Sequence, residues 1–157
     1  MLLHELFTPE FILADLQAED KEEVFEELVD RFCQTIKSDA REEILDALRQ
    51  REMKMSTGIQ KGVAVPHGKT NAVDRVYGVL GISRKGIDYE ALDGNPVHLL
   101  FMVLGPTGDS EKHLKVLQRM AELLANPQFF SDIAAQRDVQ SVYRVLKKYE
   151  ELSASLD

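Results

Sequence analysis

The chain has 157 residues, 44% of them hydrophobic and 29% charged, with a single cysteine and a formal net charge of −8. That length suffices for one cored domain spanning 1–157, and no shift in composition marks a second. The lone Cys33 excludes an internal disulfide, the net acidity argues against general nucleic-acid binding, and no apolar run is long enough to span a membrane.

The opening stretch MLLHELFTPEFIL carries Glu5 and Glu10 and no basic leader, so it does not read as a signal peptide and a cytoplasmic protein is expected. Asp20 and Glu23 form a capping-box signature, and the segment after Asp20 is apolar at Phe25, Leu28, Val29, Phe32 and Ile36, the stripe of a helix. Cys33 lies at the edge of that stripe, as a buried structural thiol would. A second helix is predicted from Ser38 or Asp39, with Ile44, Leu45 and Leu48 inward, ending near Arg51 to Met53. This end places Arg51 beside the loop that leads to His67.

Three segments then read as strands: GVAV at 62–65, RVYGVLGIS at 75–83 and VHLLFMVLG at 97–105. The connection at 84–96 has room for a further strand or hairpin, and Asp93-Gly94 within it is a turn signal. Asp109 or Ser110 caps a helix whose expected inner stripe is Leu114, Leu117, Met120 or Ala121, and Leu124. Two further helical patterns follow Pro127, the last from about Asp138 to Leu152. Helices on either side of a block of strands predict an α/β fold, a mixed central sheet flanked by helices.

The stretch GVAVPHGKT at 62–70 stands out. Pro66 biases Val65 toward an extended backbone, and Gly68 allows a tight turn or close approach by another molecule. His67 is therefore expected at the tip of a stiff stem with its imidazole directed outward. Residues 51–75 hold five basic side chains against two acidic ones, a basic island in an acidic chain, which suits a small anion or an acidic partner. Among the other histidines, His4 is expected to be exposed and His98 structural. His113 falls in the first turn of its helix, where free backbone N–H groups gather and an imidazole can meet a phosphate oxygen.

Several chemistries find little support. No H-x-x-x-H or H-x-H pair suggests a metal, no G-x-S-x-G elbow suggests a hydrolase, and neither nucleotide-loop pattern occurs, so no cofactor and no metal are expected. A phosphotransferase without a nucleotide site must take its phosphate from another donor. Neutral imidazole is nucleophilic near neutral pH, and phosphoryl transfer asks mainly for positioning and charge stabilisation, which Arg51, His113 and backbone N–H groups can supply.

The segment GVAVPHG, preceded by REMKMSTGIQ and followed by GID, LDGNPV, HLLFMVLGP and HLKVLQRMAELL, resembles the fructose/mannitol-type enzyme IIA domains of the bacterial phosphoenolpyruvate:sugar phosphotransferase system, which include nitrogen-regulatory enzyme IIA proteins. The resemblance runs over nearly the whole chain. It implies a mixed sheet flanked by helices, phosphorylation of His67 on Nε2, His113 as a second active-site histidine and Arg51 as the active-site arginine. It also implies HPr or a nitrogen-type homologue as donor, with an enzyme IIB or regulatory target proteins as partners. Gln60 departs from the glycine or alanine usual in the family, which bears on the shape of the 58–62 loop. Two roles stay open, a nitrogen-type regulator and a sugar-uptake carrier; the absence of a fused transport module leans toward the regulator. A binding module that has lost turnover and a metal-dependent hydrolase are the readings from other classes.

Overall fold

The structure is a computed structural model that describes residues 2–155, so Met1, Leu156 and Asp157 of the expected domain lie outside the described residues. The chain opens with a short helix α1 (Leu3–Leu6), a 3-10 turn (Pro9–Phe11) and a two-residue strand β1 (Ile12–Leu13), none of which the sequence reading singled out. Helices α2 (Lys21–Ile36) and α3 (Arg41–Lys54) follow, then three short strands, β2 (Gly58–Gln60), β3 (Val63–Ala64) and β4 (His67–Lys69). Two long strands, β5 (Tyr77–Ile87) and β6 (Val97–Gly105), precede α4 (Ser110–Leu124), α5 (Pro127–Ala134) and α6 (Val139–Ser155).

All six strands join one sheet in the order β1-β5-β6-β3-β2, with β4 also paired to β6. The central β5–β6 pair is antiparallel, while β1 runs parallel to β5, and β3 and β4 parallel to β6, so the sheet is mixed as expected. Period-two alternation along β6 divides the core. Leu99, Phe101 and Val103 pack under α1, α4, α5 and α6, while Leu100, Met102 and Leu104 pack under α2 and α3. Full burial of an aromatic such as Phe25, Phe32, Phe101 or Phe129 stabilises by about 1.5–3 kcal/mol before conformational entropy is counted.

Helix α2 follows its stripe, and Asp20 Oδ1 accepts the Glu23 N–H at 2.9 Å. Helix α3 starts later than expected. Ser38 Oγ accepts the Ala40 N–H at 3.1 Å, and this local turn delays the helix to Arg41; it then runs on to Lys54. The 84–96 connection contains no separate strand or hairpin. Instead β5 itself continues to Ile87, with a register shift between Ile82 and Ile87.

Three further expectations are corrected. His67 does not sit at the tip of a stem: it is the first residue of β4, opposite Val103, and β3 and β4 are one extended segment interrupted at Val65–Pro66. Pro66 has no N–H, yet its carbonyl accepts the Val103 N–H at 3.0 Å and carries the pairing past the break. Leu114 is 54% exposed rather than inward, and the inner face of α4 is His113, Val116, Met120, Leu123 and Leu124. His4 is not exposed, because its ring Nδ1 and backbone N–H both meet the buried carboxylate of Glu150. His98 is half-buried with Nδ1 2.8 Å from the Ser83 carbonyl, and Cys33 is buried, both as the sequence predicts.

Candidate active site

The strand alternation decides which way the critical side chains face. His67 opposes Val103 and Lys69 opposes Gly105, both on the α4 side, while Gly68 opposes Leu104 on the α3 side. A Cβ on Gly68 would lie 3.1 Å from the Ala47 carbonyl carbon, so the close approach that this glycine permits is by helix α3. Gly105 makes the same kind of room for His113, since a Cβ there would lie 2.9 Å from His113 Nδ1. Two glycines facing opposite ways thus let α3 close on β4 and α4 on β6, and the two imidazoles meet with ring centroids 5.7 Å apart.

The partners of His67 fix its protonation. Nδ1 lies 2.8 Å from the Val65 carbonyl, which can only accept, so Nδ1 carries the proton. Arg51 Nε lies 3.1 Å from Nε2, and a guanidinium can only donate, so Nε2 presents its lone pair. The ring is neutral and holds one tautomer. Burial lowers its pKa from the ordinary value; the Val65 carbonyl opposes that shift, Arg51 and Lys69 add to it, and Glu52 acts against it. His67 is half-buried rather than projecting freely, and Arg51 reaches it from the last turn of α3.

His113 is only 3% exposed, and neither ring nitrogen has a hydrogen-bond partner among the described residues. Burial first, then the neighbouring His67 and Lys69, bring its pKa down to about 4, with Asp109 opposing. It is therefore a neutral ring with an unspent donor beside His67. A buried polar pair without partners costs stability unless something else at the site uses it. Asp109 holds the N-cap position of α4 and its backbone carbonyl accepts the His113 N–H at 3.2 Å, but its side chain makes no cap; Ser110 Oγ accepts instead from Lys69 Nζ at 2.9 Å.

An open crevice of about 900 Å³ borders Arg51, His67, Lys69, Ser110 and His113, and an apolar pocket of about 170 Å³ adjoins the same Arg51 and His67. The basic island is narrower than its sequence span. Arg51, Lys54 and Lys69 line the crevice with Glu43 and Asp46, whereas Arg75 stacks its guanidinium 4.7 Å from the Tyr77 ring centroid. Gln60 settles the loop at which the sequence departs, since its side-chain amide donates to the Leu124 carbonyl at 2.9 Å and ties the β2–β3 turn to the end of α4. Lys69 and Ser110, which the sequence reading did not select, join the site through strand parity and helix start. Among the described residues, no group of three histidine, cysteine, aspartate or glutamate side chains could hold a metal ion, and no helix is long and apolar enough to cross a membrane.

A half-buried neutral imidazole with a fixed lone pair, a fork of N–H donors and a second, unpaired imidazole make an arrangement suited to moving a phosphoryl group. Comparison with known proteins agrees. Residues 5–149 match the family described as phosphoenolpyruvate-dependent sugar phosphotransferase system, EIIA 2. The chain belongs to that family. It is 35% identical to a nitrogen regulatory protein of Bradyrhizobium diazoefficiens over 93% of this chain and 95% of that one. It is 31% identical to the fructose-specific EIIABC component of Bacillus subtilis, over 96% of this chain but 24% of that larger protein. The crystal structure of nitrogen regulatory protein IIA-Ntr from Neisseria meningitidis superposes with a TM-score of 0.84 at 27% identity, covering 92% of this chain and 98% of that one. The enzyme IIA fold and a place among phosphotransferase-system carriers follow, as the sequence resemblance implied.

Proposed function

We propose that this enzyme IIA accepts a phosphoryl group on His67 Nε2 from HPr or a nitrogen-type homologue, and that the phosphorylated form acts as a regulator in the cytoplasm. The observation that carries the reading is the pairing at the two ring nitrogens, with Val65 O holding the Nδ1 proton and Arg51 the only described donor on the Nε2 lone pair. In the transfer, that lone pair forms the new N–P bond while the donor's N–P bond breaks and its electron pair returns to the donor imidazole. No proton has to leave His67, because Nε2 carries none. Arg51 must first turn from Nε2, and its N–H groups then face the equatorial phosphoryl oxygens together with the His113 donor.

The regulatory branch draws support from likeness to a nitrogen regulatory protein over almost the full length of both chains. Phosphorylation would add roughly −1.5 to −2 charges between Arg51 and Lys69, if its ionisation follows other phosphorylated side chains, and so alter a docking face without moving the fold. The second reading, a carrier that hands phosphate to a sugar-specific enzyme IIB, is favoured by the likeness to the fructose-specific component. Labelling with phosphoenolpyruvate, enzyme I and HPr, followed by the host's own IIB and IIC proteins and a panel of sugars, separates the two. Slow, sugar-independent loss of label is expected; rapid, sugar-dependent loss makes this a transport carrier.

A further inference from the structure

The structure assigns Glu52 as the residue that positions both groups on the His67 ring, fixing the Nδ1–H tautomer and seating Arg51 on Nε2; the assignment rests on the phosphocarrier reading. Glu52 is a buried acid on α3, 9% exposed, immediately after Arg51, and no chemistry at the crevice requires it directly. Its oxygens take the Thr57 N–H at 2.7 Å and the Thr57 hydroxyl at 2.6 Å, while Lys21 Nζ stands 3.3 Å away. The Tyr89 hydroxyl closes the cluster, 2.7 Å from Thr57 Oγ1 and 3.1 Å from Glu52 Oε1. Its neighbours are donors, which is the role of an ionised carboxylate. Burial and the adjacent Glu52 push the Tyr89 phenol up, so it remains a donor.

Two branches lead from this anchor to the imidazole. Along the first, the Thr57 carbonyl accepts the Val65 N–H at 2.9 Å, and the Val65 carbonyl accepts His67 Nδ1–H at 2.8 Å. Along the second, the Met55 carbonyl, two residues before Thr57, accepts Arg51 Nη1–H at 3.0 Å while Arg51 Nε–H reaches His67 Nε2. Releasing the 55–57 turn therefore loosens the acceptor at one ring nitrogen and the donor at the other. Lys21, Thr57 and Tyr89 come from the start of α2, the α3–β2 turn and the segment after β5, so one carboxylate gathers separate parts of the chain behind the site. A charge so enclosed is costly to retain for stability alone, since a well-packed apolar cluster can serve that end.

The test begins on the unphosphorylated protein, with ring-nitrogen NMR of His67 in wild type, Glu52→Gln, Thr57→Val and Thr57→Ser. Wild type and Thr57→Ser should show the single Nδ1–H tautomer, and Glu52→Gln a mixture of both. With HPr phosphorylated by phosphoenolpyruvate and enzyme I as donor, the maximal transfer rate of Glu52→Gln should fall at least about tenfold, the scale of a small misplacement of reacting groups. The half-saturating HPr concentration should stay near that of wild type. A folded Glu52→Gln with the wild-type tautomer and rate overturns the assignment; if that variant does not fold, Thr57→Val, which keeps the backbone N–H and the side-chain volume, is judged by the same two readouts. Should HPr fail to phosphorylate the wild type, the functional reading falls while the tautomer measurement still decides the role of Glu52.

Discussion

Arg51 Nε–H donates to His67 Nε2 at 3.1 Å while its Nη1–H donates to the Met55 carbonyl at 3.0 Å, so the resting guanidinium covers the lone pair that the proposed chemistry needs. The same side chain is cover and stabiliser in turn. Arg51→Lys is expected to lower the rate of phosphorylation by about 10²–10³, because an ammonium replaces the charge but not the planar fork. Stopped-flow measurement of transfer from phosphorylated HPr checks this, with His67 remaining the acceptor in the variant.

Gly105 is the room into which His113 fits, since a Cβ there would stand 2.9 Å from His113 Nδ1. Gly105→Ala should displace the imidazole from His67 and slow transfer, while costing about 1–3 kcal/mol of stability as overpacking does. Denaturant unfolding and transfer kinetics on the same variant read both effects. The expected result is a loss of rate that His113→Ala does not deepen when the two substitutions are combined.

The depressed pKa of His113 has a consequence for stability. With a folded value of about 4 against an ordinary value of about 6.5, the unfolded chain binds the proton more tightly. Stability is then fully present above pH 6.5, falls as pH drops toward 4, and levels off below that. His67, whose pKa burial also lowers, contributes in the same direction. The pH dependence of Tm between about 7 and 4 should be shallower in His113→Gln than in wild type.

Local pattern revealed the elements whose structure is decided locally. The Asp20 cap and the stripe from Phe25 to Phe32 specify α2, and the apolar runs of β5 and β6 specify the central pair. What escaped is set by distant partners. The inward face of α4 is phased by Gly105 on a neighbouring strand, which admits a buried His113 and turns Leu114 outward. His4 is held by Glu150, 146 residues away, and nothing near His4 announces that partner. β4 resumes after Pro66 only because Val103 lies opposite. Arg51, His67 and His113 were legible from a helix end, the Pro66–Gly68 clamp and a helix first turn, the family resemblance supplied their roles, and the structure brings all three together. Glu52 was not legible, because one acidic residue in a helix of mixed charge reads as solvated until Thr57, Tyr89 and Lys21 are seen to converge on it.

Gln60 offers a contrast within the same region. Its amide ties the β2–β3 turn to the Leu124 carbonyl without touching either imidazole. Gln60→Ala should therefore cost about 0.5–1.5 kcal/mol in thermal or denaturant unfolding and leave the transfer rate within about twofold of wild type. A large loss of rate would mean that this turn takes part in holding the site.

Phosphorylation of His67 on Nε2 is the event on which the proposed function rests. Its most direct test is phosphorus and ring-nitrogen NMR of the protein after incubation with phosphoenolpyruvate, enzyme I and HPr, beside intact-mass analysis of wild type and His67→Ala. One added phosphate is expected on wild type, labile in acid and stable in base, coupled to Nε2 of His67, and none on His67→Ala. Full labelling of His67→Ala, or a wild-type phosphate coupled to Nδ1 or to another residue, would contradict it.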